Sequence, residues 1–105
     1  MTKQHVLSAY LQMADAVKHI EGDLAWLGLK AIEWRPGDPP VWAACGDIAT
    51  QMLNQQARFS RYAAAIIDTV EDPVAPFTEK ERALWRRRVS GLQRRLNGLT
   101  LPKAL

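Results

Sequence analysis

The sequence predicts an all-α fold: an antiparallel hairpin of two long helices with a third, C-terminal helix, together a three- to four-helix bundle. Three observations predict it. Two long stretches carry apolar residues alternately three and four apart, the period that keeps one helix face turned to a partner. Two proline-rich breaks, at Arg35-Pro36-Gly37-Asp38-Pro39-Pro40 and Asp72-Pro73-Val74-Ala75-Pro76-Phe77, interrupt them. No segment alternates in the two-residue period of a half-buried strand.

The first stripe is Val6, Tyr10, Met13, Val17, Ile20, Leu24, Leu27, Ala31 and Trp34. It predicts a helix over about 3–34. Gly22 and Gly28 are its weak points, but the register passes through both, which favours a continuous or gently kinked helix. Three prolines and a glycine then force a reversal. Asp38 is placed to accept from the free amides of the next helix, whose first turn tolerates proline. The second helix is predicted over about 41–71, with Trp42, Cys45, Ala49, Met52, Gln56, Phe59, Ala63, Ile66 and Val70 as its stripe. Ile48, Leu53, Tyr62 and Ile67 widen that face, as expected of a helix flanked on more than one side. Gln56 either fixes the register as a buried amide or reaches solvent.

Thr78-Glu79-Lys80-Glu81 is a capping box, in which Thr78 and Glu81 satisfy each other's backbone amides, and it starts the third helix. That helix, about 79–98, carries Trp85, Val89, Leu92, Leu96 and Leu99 at the same spacing. Gly98 suits a left-handed terminal residue and Pro102 prevents resumption. The 105 residues make one domain, 1–105.

The composition bounds function mainly by exclusion. A hydrophobic fraction of 48% argues against disorder over most of the length. No apolar run approaches the roughly 20 residues that cross a bilayer, and the N-terminus lacks the apolar segment and cleavage site of a secretory signal, so a cytoplasmic location is expected. Cys45 has no disulfide partner and is expected to be a small buried residue. No Cys or His cluster has metal-ligand spacing, no glycine-rich phosphate loop is present, and His5 and His19 lack a nucleophile partner. Asp15, His19 and Asp23 look like a solvated charged edge. Neither an enzyme nor a cofactor is expected.

Two features point to binding. Trp26, Leu29 and Ile32, with Ala25, form a second apolar stripe opposite Leu24, Leu27 and Ala31, and Trp42 extends it across the proline turn. Either the third helix or another molecule must cover this surface. Large aromatics and aliphatics are what interface centres are made of. The charge is also uneven. Residues 1–77 carry six Lys or Arg against nine Asp or Glu, and residues 78–105 carry eight against two. Arg86, Arg87, Arg88, Arg94 and Arg95, with Arg82 nearby, make the third helix an electrostatic footprint for carboxylate or phosphate.

Asp47-Ile48-Ala49 followed by Ala57, Phe59, Ser60 and Arg61 resembles the helix-turn-helix repressors, in which an early alanine precedes a Ser-Arg on the recognition helix. The likeness covers residues 47–61, and Leu53 and Asn54 stand where the family has a glycine and an apolar neighbour. In size and character the whole chain resembles the short, motif-poor helical antiactivators of bacteria and inhibitors of phages. The surplus aromatic, heptad-patterned faces lead to the expectation of a homodimeric regulatory protein that occludes a surface of a partner, such as a transcriptional regulator or a phage-defence complex. The alternative is nucleic-acid binding through the Arg-rich third helix or a degenerate helix-turn-helix in the second.

Overall fold

The computed structural model describes residues 2–44 and 46–99, the side chains of Trp42 and Ala44 excepted. Its helices are α1 (Lys3–Glu33), α2 (Gly46–Glu71) and α3 (Glu79–Asn97), with a short 3-10 turn at Val41–Ala44. The hairpin and third helix are thus as the sequence predicts. Cys45, Pro102 and the side chain of Trp42 lie outside the described residues.

Helix α1 runs unbroken through Gly22 and Gly28 and is about 46 Å long at 1.5 Å per residue. Its start is closed by Thr2, whose hydroxyl accepts from the His5 amide at 3.2 Å while the His5 ring accepts from the Thr2 amide at 3.3 Å. Gly37, at φ +99°, supplies the left-handed residue of the reversal. The bonds described for Asp38 lie within the reversal and not at the start of the following helix. Its carboxylate accepts from the Arg35 amide at 3.0 Å, and its own amide donates to the Arg35 carbonyl, so it closes the turn upon itself. Pro39 and Pro40 lack the N–H groups an α-helical turn would use, and the chain enters α2 through a tighter turn in which Ala43 donates to Pro40.

Helix α3 begins with the expected capping box: the Glu81 amide donates to Thr78 Oγ1 at 3.1 Å and the Thr78 amide to Glu81 Oε1 at 3.0 Å. At its other end Gly98 is right-handed (φ −79°), not left-handed as the sequence suggests. Its amide donates to Arg94 and that of Leu99 to Leu96, so the last turn tightens without the reversal that needs a positive φ.

Two ion pairs fix the direction of α3. Lys3 meets Glu81 at 2.8 Å near the start of both helices, and Arg95 meets Glu21 at 2.5 Å further along. The third helix therefore lies parallel to the first half of α1 and antiparallel to the end of α2. One core joins the three. Val6, Ala9, Met13, Ala16 and Val17 meet Phe59, Ile66 and Val70, closed by Phe77, Trp85, Val89 and Leu92. Tyr10 stands edge-on to Trp85 with ring centroids 5.7 Å apart.

This core occupies one half of a rod measuring 62 × 19 × 15 Å. Beyond Glu21 the described residues form a two-helix hairpin in which Leu27 is buried. Leu53, expected to widen a buried face, is exposed there, as is Trp34. The sequence assigned them cover that a third helix would have provided, and α3 stops short of them. Gln56 is exposed, so it sets no register. The polar tie between α1 and α2 is Arg58 instead, which donates to Asp15 at 2.9 Å, to Gln55 at 3.1 Å and to Gln12.

Glu81 gives the fold an acid sensitivity. The Lys3 ammonium and the Thr78 amide both donate to its carboxylate and hold its pKa at about 2, down from an ordinary 4.5. A depressed carboxylate contributes stability that is present above its unfolded pKa and is lost as pH falls through the folded one. Glu81→Gln should therefore flatten the dependence of Tm on pH between about 4.5 and 2. An unchanged slope over that range would show that the pair contributes nothing.

Candidate protein-binding surface

Helical geometry determines how the distal half of α1 presents its apolar residues. Positions three apart fall about 60° apart around the axis, so Trp26, Leu29 and Ile32 wind round the side opposite Leu27. They are 38%, 52% and 82% exposed. The cover considered for them from the third helix is not supplied, because α3 ends at Asn97 just past the Arg95–Glu21 pair.

Trp26 also forms one wall of an open groove of about 230 Å³ at the hairpin tip, with Lys30, Glu33, Trp34, Asp38, Pro39 and Val41. The turn positions the other wall: Trp34 Nε1 donates to the Pro39 carbonyl at 3.0 Å. The Lys30 ammonium lies 5.5 Å from the centroid of the Trp26 ring and 3.5 Å from the Glu33 carboxylate. The groove is thus lined by two indoles beside a neutralised pair of charges. Trp34 was legible only as a member of the stripe; its exposure follows from α1 ending at Glu33.

The arginines of α3 do not form one free face. Arg86 clasps both carboxylate oxygens of Glu71, which lowers the Glu71 pKa and raises that of Arg86. Hydrogen bonding to Glu21 likewise raises the pKa of Arg95. Arg88 lies over Trp85 and Tyr10, its guanidinium carbon 4.9 and 6.0 Å from their ring centroids. Arg87 and Arg94 are exposed and make no ion pair among the described residues. Most of the basic run therefore ties α3 to its neighbours, because carboxylates on α1 and α2 stand level with it.

The helix-turn-helix likeness fails on the backbone. Helix α2 continues through Leu53 and Asn54, so no turn separates a recognition helix. Among the described residues no group of three His, Cys, Asp or Glu could hold a metal ion, and no helix is long and apolar enough to cross a membrane. His5 caps α1, and His19 lies against Asp15.

No family model matches the chain, and comparison with curated proteins and with solved structures finds no match. The class is accordingly defined by architecture alone: an all-α protein, a helical hairpin with a third helix packed against one end.

Proposed function

We propose that this is a small cytoplasmic interaction protein that acts without catalysis, by placing the tip of its hairpin on another protein and occluding the surface it covers. One observation carries the reading: Trp26, Leu29 and Ile32 stand exposed on a segment that none of the described helices covers. Exposed apolar groups that are contiguous and include tryptophan are characteristic of protein-binding patches. The Trp26–Trp34 groove is the anchor, and the Lys30–Glu33 pair on its rim orients the partner more than it adds affinity. An antiactivator or inhibitor works in this way, by masking rather than by chemistry.

Affinity capture from a lysate of the cell that makes the protein tests the reading. A protein retained in stoichiometric amount should be lost with Trp26→Ala/Trp34→Ala while helical content is preserved, since both indoles are substantially exposed. Equal capture by the variant, or unfolding of the variant, would remove the tip as the binding surface.

A further inference from the structure

A second apolar stripe runs along the outside of α1, and its pattern is a palindrome. Leu7 and Leu11, 46% and 58% exposed, stand in the same register as Leu29 and Ile32. At 100° per residue, Gln4, Leu7, Leu11, Ala14, Lys18, Gly22, Ala25, Leu29 and Ile32 share an arc of about 80°. Their spacing reads the same in both directions from Lys18. Laid antiparallel on itself about that residue, the helix sets Leu7 against Leu29, Leu11 against Ala25 and Gln4 against Ile32. Near the centre Gly22 is exposed, with open space where a side chain would begin.

We infer that a second copy of this chain covers the stripe, with α1 packed antiparallel on α1 around a two-fold axis at Lys18. This rests on reading the exposed apolar surface as an interaction surface, and it assigns Leu29 and Ile32 to the second copy while leaving the Trp26–Trp34 groove free.

Charge supports the antiparallel sense. Residues 22–57 carry four Asp or Glu against two Lys or Arg, whereas residues 2–21 and 58–99 together carry eleven Lys or Arg against seven Asp or Glu. Antiparallel pairing sets the acidic tip of each copy beside the basic bundle of the other; parallel pairing would set like against like. The stripe is also long: Gln4 to Ile32 spans about 42 Å of helix at 1.5 Å per residue. The two Lys18 ammonium groups near the axis oppose one another, but in this register Asp15 and Glu21 of the second copy flank each of them.

Sedimentation equilibrium on the full chain should give twice 11.8 kDa. Leu11→Asp/Leu29→Asp should raise the dimer Kd roughly a hundredfold or more, two factors of ten on the affinity scale, with the helical circular dichroism retained. Crosslinking tests the register even if that variant fails to fold. With Cys45→Ser as background, Lys18→Cys should form an interchain disulfide on mild oxidation, whereas Leu7→Cys and Leu29→Cys should do so only when mixed. A monomer at every concentration, self-crosslinking of Leu7→Cys, or no disulfide from Lys18→Cys would overturn the inference. A monomer that still loses its partner on Trp26→Ala/Trp34→Ala would overturn it while leaving the proposed function standing. A dimer with no dependence of capture on the tryptophans would do the reverse.

Discussion

Phe59→Ala should lower the free energy of unfolding by about 3–5 kcal/mol, the usual cost of deleting a buried aromatic ring. Phe59 is fully buried, and the cluster it belongs to draws on all three helices. The neighbouring buried groups belong to separate helices locked by ion pairs at both ends of α3, so they are poorly placed to collapse into the vacated space. A domain of this size has a total stability on the order of 5–15 kcal/mol, so the variant should be at or near the edge of folding at room temperature. Leu53→Ala, six residues away on the same helix, should change stability by no more than about 0.5 kcal/mol because Leu53 is already exposed. Urea unfolding followed by circular dichroism measures both. Similar losses at the two positions would mean that the core extends along the hairpin after all.

Arg82→Ala should have the next largest effect, a loss of about 2–4 kcal/mol. The guanidinium is largely buried, and it donates from Nε to the Val70 carbonyl at 2.7 Å and from Nη2 to those of Asp72 and Ala75 at 3.0 and 3.2 Å. Its third nitrogen reaches Glu79 Oε1 at 2.7 Å. These carbonyls lie at the C-terminal end of α2 and in the connection that follows, where backbone acceptors lack helical partners. Hydrogen bonds from a charged donor contribute about 1.5–3 kcal/mol each and do not simply add. Arg82→Lys should recover less than half of the loss, since one ammonium cannot span the fork that the guanidinium spans. Full recovery by lysine would show that only the positive charge matters.

Much of the fold was legible because local signals agreed with one another. The Thr78–Glu81 capping box, the two proline breaks and the three-and-four spacing each mark a helix end or a helix face within a few residues of sequence. What remained illegible depended on how far one helix slides along another. Helix α3 has 19 residues against 31 in α1, but its direction and level rest on Lys3–Glu81 and Arg95–Glu21, pairs more than 70 positions apart in the chain. Without that level, Arg86 and Arg95 looked like parts of a free basic face, and Leu53 and Trp34 looked like buried members of a stripe.

The candidate site divides in the same way. Excess apolar surface around Trp26, Leu29 and Ile32 was visible as helical periodicity alone, since too many sides of one helix were apolar for a single seam. The groove was not visible, because it needs the indole of Trp34 held against the proline turn. Leu7 and Leu11 carried no signal until α2 and α3 had both taken other sides of α1. Arg58 was missed because its partners, Gln12 and Asp15, belong to a different helix.

Small-angle X-ray scattering tests most directly whether α1 has more apolar surface than its own chain covers. A particle of twice 11.8 kDa is expected, its longest dimension staying near 62 Å because two antiparallel rods lie side by side. A particle of 11.8 kDa at all concentrations, or a dimer about twice as long as the single rod, would contradict it.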